Sequence, residues 1–189
     1  MRKKFASACL LSVLLASVAY AQMGGTGTKA ASTANPITAG AKATYDMVKG
    51  YITKSAEAAP DAVFAFRATP DVRTFGQIIG HIADANYMIC SAAAGEKSPG
   101  GGDIEKTKTT KADLSNALGE SFAYCDRVFA AMTDAEGAKT VKFMMGSDMA
   151  KLSILSFNTA HDFEHYGNLV TYMRLNKMVP PSSQGGMGR

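Results

Sequence analysis

The sequence lacks the marks of several protein classes. It has no Gly-X-Y period, and 47% of its 189 residues are hydrophobic, which excludes a collagen-like chain and a wholly disordered one. No C-x-x-C-H is present, so a c-type haem has nothing to attach to. Repeated Glu-x-x-His pairs, which a ferritin-like di-metal bundle needs, are also missing. The apolar run from Phe5 to Val18 is 14 residues long, short of the roughly 18 that a membrane-spanning helix needs. Cysteine and histidine are scarce, with 3 of each. The length suits one compact domain.

Positive charge is also scarcer than the total suggests. Met1-Arg2-Lys3-Lys4 opens the chain, the apolar run follows, and Ala19-Tyr20-Ala21 supplies the small-x-small pattern of a signal-peptidase site. Residues 1–21 are therefore expected to be an export signal. A retained anchor is the competing reading, which the short run disfavours, and Cys9 lies inside the run, where a lipoprotein cysteine would not. Cleavage removes Arg2, Lys3 and Lys4 and no acid, lowering the formal charge from +4 to +1. A periplasmic or secreted protein is expected, with no stable membrane insertion after cleavage and no basic surface for nucleic acid. Cys90 and Cys125 remain. An oxidising compartment permits a bridge between them, and two small buried apolar residues are the equal alternative.

Residues 22–37 are rich in Gly, Ala, Ser and Thr and read as a flexible leader. From Thr38 to Ala58 the positions Ala41, Tyr45, Val48, Ile52 and Ala56 recur at steps of three and four, one stripe of a helix. Pro60 ends it, and residues 60–73 read as a tethered connection. A second helix is predicted over 74–94, with Phe75, Ile78, Ile79, Ile82, Ala85, Ile89 and Ala93 inward and Gly95 at its end. Ser98-Pro99-Gly100-Gly101-Gly102 breaks the chain. The third helix, to about Thr133, opens on Thr110-Lys111-Ala112-Asp113, a capping-box-like start, and turns Leu114, Leu118, Phe122, Cys125, Phe129 and Met132 inward. A fourth runs from about Asp148 to Asn176, and Pro180-Pro181 prevents its continuation. No useful β alternation is seen. The fold class expected is all-α, a four-helix bundle over 38–183, followed by a disordered tail over 184–189.

The histidines are His81, His161 and His165. His161 and His165 are four apart on the fourth helix, so their rings project from one face, one turn apart, and could share a metal ion. His81 lies early in the second helix, from where it could complete a three-nitrogen site with coordination positions left for water or substrate. On spacing alone, three packed or solvated histidines remain an open alternative. His161-Asp162-Phe163-Glu164-His165 also spells the H-x-x-E-H of inverted zinc proteases. Those are much larger and need a carboxylate ligand far downstream, whereas 24 residues follow His165. Glu164, three residues after His161, is the candidate base on water at the metal, with a solvated helix residue as the alternative. Asp84, one turn from His81, could orient a ligand. Tyr87, Tyr166 and Tyr172 could line a pocket or form the core edge. Cys90 lies about 180° around the helix from His81 and should not share its site. The methionines show no tight cluster and read as core filler.

The stretch Arg73-Thr74-Phe75-Gly76-Gln77-Ile78-Ile79-Gly80-His81-Ile82-Ala83-Asp84-Ala85-Asn86-Tyr87 resembles the second-helix signature of the DinB-like (DinB/YfiT) superfamily. His161 to Leu169, followed by Tyr172-Met173-Arg174 and Pro180-Pro181, is similar to that family's last helix and exit. The resemblance covers most of residues 38–183. It implies a four-helix bundle holding a divalent metal through His81, His161 and His165. Hydrolases, and transferases that use low-molecular-weight thiols, are among the members it resembles. The function this implies is metal-dependent hydrolysis or transfer on a small-molecule substrate, through water or a thiol activated at the metal. The alternative is a non-catalytic exported bundle that binds a metal or ligand. Zinc, nickel, iron and manganese all suit three imidazoles, and the family makes a homodimer plausible.

Overall fold

The computed structural model describes residues 34–100 and 102–185. The expected export signal, the leader through residue 33 and the tail from residue 186 lie outside the described residues. Four long helices make the bundle: α1 (Pro36–Ala58), α3 (Phe75–Ala94), α5 (Lys111–Ala131) and α7 (Lys151–Leu175). Between them lie three four-residue helices, α2 (Asp61–Phe64), α4 (Ile104–Thr107) and α6 (Asp134–Gly137), and the strands β1 (Thr140–Phe143) and β2 (Ser147–Ala150). A 3-10 turn, Pro181–Ser183, closes the described chain. α3 packs against both α5 and α7, and α1 closes the other side against the same pair. No helix of the described residues is long and apolar enough to cross a membrane.

The three predicted stripes face inward: Tyr45, Val48 and Ile52 of α1, Phe75, Ile79 and Ile82 of α3, and Leu118, Phe122 and Phe129 of α5 are all buried. Leu155, Leu169 and Met173 of α7, where the sequence shows no such stripe, are buried with them. Tyr45 stacks on Phe129 with centroids 4.5 Å apart, and its hydroxyl donates to the Phe122 carbonyl at 3.2 Å. A buried tyrosine needs such a partner, or its O–H is desolvated without return. Across the bundle, Cys90 of α3 and Cys125 of α5 form a disulfide, which decides between the two readings of that pair.

Helix starts follow side-chain capping. Thr110 accepts from the Asp113 amide at 3.1 Å, as expected for α5. Thr74 does the same for Gln77 at 3.1 Å, and the Gln77 side-chain oxygen accepts in turn from the Thr74 amide at 2.8 Å, a complete capping box. At the far end of α3, Gly95 adopts φ 75°, the left-handed residue that ends many helices. α1 begins two residues earlier than its stripe suggested. Pro36 fits the first helical position, and the Asp134 carboxylate accepts from the Ile37 and Thr38 amides at 3.2 and 2.8 Å, so a distant carboxylate caps the helix. The predicted leader therefore loses its last two residues to helix. Within the predicted tail, Gln184 is tied by its side-chain amide to the Val179 carbonyl at 3.0 Å.

Two expectations are corrected around residue 148. α7 starts at Lys151, and the residues before it form a hairpin that the sequence did not suggest. β1 and β2 pair antiparallel, with Thr140 opposite Ala150 and Phe143 opposite Ser147. Met145 (φ 56°) and Gly146 (φ 81°) make the left-handed reversal between them. α6 anchors the hairpin to α7 through Glu136, which binds Lys151 at 2.5 Å and Lys139 at 2.6 Å. The hydrogen bonds from Lys139 and Lys151 hold the Glu136 carboxyl down at about 2. Because the folded state keeps this carboxylate ionised more strongly than the unfolded chain does, its contribution is present above about pH 4.5 and is lost as the pH falls toward 2. Thermal unfolding across that window should therefore show a smaller acid-induced decline for Glu136→Gln than for the wild type.

Candidate metal centre

α3 and α7 cross with His81 on one helix facing His161 and His165 on the other. The i,i+4 spacing sets the α7 pair on one face, and packing of Ile78, Ile82, Leu169 and Met173 into the core turns that face toward α3. Nε2 of His161 lies 3.2 Å from Nε2 of His81 and 3.1 Å from Nε2 of His165. One nitrogen from each ring lies within 4.8 Å of the others. His165 is buried, and His81 and His161 are half-buried.

The donor set suits a divalent ion. Ligand nitrogens about 2.0–2.1 Å from a tetrahedral zinc stand about 3.3 Å from one another, close to the separations observed. The two rings of α7 are also in the state a metal needs. Burial, and after it the charges of His161, His81 and Arg73, push the His165 pKa down to about 3. Burial and then His81 lower that of His161. Both are neutral at ordinary pH and offer lone pairs. Without an ion, three ring nitrogens crowd one point, and Nδ1 of His161 is buried with no hydrogen-bond partner. The three histidines could hold a metal ion.

Around the rings, the outer nitrogens meet polar groups. Nδ1 of His81 is 3.1 Å from Oε2 of Glu105 and 3.4 Å from Nη2 of Arg73, and Arg73 Nε donates to Glu105 Oε1 at 2.8 Å. Nδ1 of His165 is 3.3 Å from the Asn168 side-chain nitrogen. Beneath the site, Asn158 of α7 donates to Asn86 of α3 at 2.8 Å and to Asp162 at 3.3 Å, and Asn86 donates to Ser121 of α5 at 3.3 Å. Burial pushes the Asp162 carboxyl well above the usual carboxylate range. A cleft of about 570 Å³ opens beside the rings, lined by Thr69, Arg73, Glu105, His165, Asn168 and Tyr172 among others.

Other candidates scatter. Glu164 is exposed and makes no hydrogen bond to the histidines, although its charge reaches His161. Asp84 makes no hydrogen bond to a histidine among the described residues. Its two oxygens accept from the Ile104 and Glu105 amides, each at 3.0 Å, and so cap α4 from another helix. Tyr172 lines the cleft and donates to the Arg73 carbonyl at 2.8 Å. Tyr166 bonds Ser182 at 2.8 Å, and Tyr87 packs on Tyr124. Cys90 is taken by the disulfide, away from the centre, as its helical angle predicted.

Glu105 was missed, because nothing in the sequence marks it; a glycine on α3 brings it to the rings. A Cβ on Gly80 would stand 2.7 Å from the Glu105 Cα and 3.0 Å from its backbone nitrogen. Only glycine lets α4 lie this close to α3 beside His81. Gly80→Ala should cost about 1–3 kcal/mol by overpacking, because backbone rather than a flexible side chain must move. Chemical denaturation would read that loss, and an unchanged midpoint would show that α4 yields freely.

The DinB superfamily model matches residues 44–169, and the chain belongs to that superfamily. A DinB-like protein from Bacillus cereus has the same fold at 19% identity and TM-score 0.66, with 76% of this chain and 95% of that chain covered. The mycothiol-dependent maleylpyruvate isomerase is similar at 16% identity and TM-score 0.58. That match covers 70% of this chain and 60% of the isomerase, so the chain spans well under the whole of that enzyme. A variant of the same isomerase aligns at 15% identity and TM-score 0.59. No curated protein matches the sequence.

Proposed function

We propose that His81, His161 and His165 hold a divalent metal and that the protein is an exported metal-dependent hydrolase or transferase acting on a small molecule in the adjoining cleft. The observation that carries this reading is the convergence of three Nε2 atoms, with His161 3.2 and 3.1 Å from its partners, at the edge of a cleft. Three protein ligands leave positions open, as catalytic sites do and closed structural sites do not. An ion held there would supply a Lewis acid able to acidify a water or a thiol. The chain's own part is to place the substrate. Thr69, Asn168 and the Arg73 guanidinium present polar groups along the cleft, and Tyr172 with Ile78 provides an apolar wall. Glu164, exposed one turn from His161, is the candidate base. The buried Cys90–Cys125 bridge supports folding in an oxidising compartment and so supports export.

Elemental analysis of purified protein tests the site. About one equivalent of divalent metal per chain is expected for the wild type, and none for His81→Ala. Equal metal in both proteins would remove His81 from the ligand set. Metal-dependent turnover of ester or thiol substrates that disappears in His161→Ala supports the enzyme. Stoichiometric binding with no turnover in a broad screen would instead make the protein a metal-binding module.

A further inference from the structure

We propose that Glu105 is the positioning residue of the three-histidine centre, selecting the tautomer of His81 that turns a bare Nε2 toward His161 and His165. This rests on the reading of the centre as a metal site. Nδ1 of His81 has two neighbours that ask for opposite tautomers. Glu105 Oε2, 3.1 Å away, only accepts and requires the ring proton on Nδ1, whereas Arg73 Nη2, 3.4 Å away, only donates and requires Nδ1 bare. A ring that accepts from arginine carries its proton on Nε2, aimed at the other two imidazoles, and cannot ligate through that atom. Glu105 is the nearer partner. Its other oxygen, Oε1, takes the Arg73 Nε–H at 2.8 Å, so Arg73 binds the carboxylate more closely than it approaches the ring.

The carboxylate is held there by construction. Asp84 grips the first amides of α4 with both oxygens, and Gly80 lets the α4 backbone approach to the distance where a Cβ would clash. Gly80, His81 and Asp84 share one turn and a half of α3. The support thus leaves α3 at Asp84, passes through α4, and returns to α3 at His81. Metal-bound histidines commonly have such a carboxylate partner, and its loss weakens metal binding.

The test compares the wild type, Glu105→Ala and Glu105→Gln. Nitrogen-15 NMR of the metal-free proteins at about pH 8, where imidazoles are ordinarily neutral, reads which ring nitrogen of His81 carries the proton. Zinc affinity is measured beside it by competition with a chelating indicator. The wild type should be protonated on Nδ1. Glu105→Ala should move the proton to Nε2 and weaken zinc binding by about 10–100-fold. In Glu105→Gln the amide oxygen still accepts, so the Nδ1 proton should stay and the loss should be less than about tenfold. A merely structural residue would not make the tautomer follow the acceptor. The same His81 tautomer in all three proteins would overturn the proposal, as would zinc binding by Glu105→Ala within about twofold of wild type. If the wild type binds no divalent ion, the metal reading fails, and the tautomer comparison still decides the role of Glu105.

Discussion

His161→Ala should abolish the stabilisation that a divalent ion gives this protein while leaving the metal-free fold nearly as stable as before. His161 is the middle ring, and its Nε2 is within 3.2 Å of both partners. Without it, His81 and His165 are two ligands on different helices with no nitrogen between them. A ligand at 100 times its dissociation constant adds about 2.7 kcal/mol to the folded state. In a domain of this size that raises Tm by about 5–11 °C. The rise should appear in the wild type on adding zinc, nickel or manganese and be absent in His161→Ala. The metal-free variant has compensations. It loses some packing, but it also sheds a buried Nδ1 with no partner and relieves the crowding of three ring nitrogens. A large fall in Tm without metal would show that His161 serves the core rather than an ion. An undiminished zinc shift would show that the ligands lie elsewhere.

How far the sequence could be read depends on what kind of signal each element carries. Apolar spacing and caps are local, so α3 and α5 were legible almost to the residue: Thr110 caps as expected, and Gly95 ends α3 in the left-handed conformation. α7 was legible mainly through His161 and His165 and its exit. Its buried face includes Asn158, Thr159, Asp162 and His165, and these polar residues break the apolar stripe that marks the other helices. The hairpin was hidden for a similar reason. Of the eight strand residues only Phe143 is buried, so no alternation exists to be seen, and the pairing depends on the turn and on α6. Glu105 could not be read at all. It sits on a four-residue helix after a glycine-rich break, and it acquires meaning only from Asp84, Gly80 and Arg73, which are 21 to 32 positions away. Asp84 stands one turn from His81, yet its oxygens bind the backbone of another helix, the one that carries Glu105.

Removing the Cys90–Cys125 bridge should cost far more than removing two small buried side chains. The cysteines are 35 residues apart and join α3 to α5, the most extensive helix pair in the bundle. Closing a loop of that length restricts the unfolded chain by an amount worth about 4 kcal/mol in the chain-entropy model. Cys90→Ala with Cys125→Ala should therefore lower Tm by about 8–16 °C. The shaved core adds to that loss, so the comparison that isolates the bridge is the wild-type protein with its disulfide reduced, in which each sulfur gains a hydrogen and no side-chain atom is lost. Both sulfurs are fully buried, so reductant should act only after heating or denaturant has opened the α3–α5 contact. Reduced wild type should then melt below the oxidised protein by about 8–16 °C and no lower than the double variant. If reduced and oxidised proteins melt together, the bridge contributes nothing to stability, and the link drawn from it to an oxidising compartment loses its physical basis.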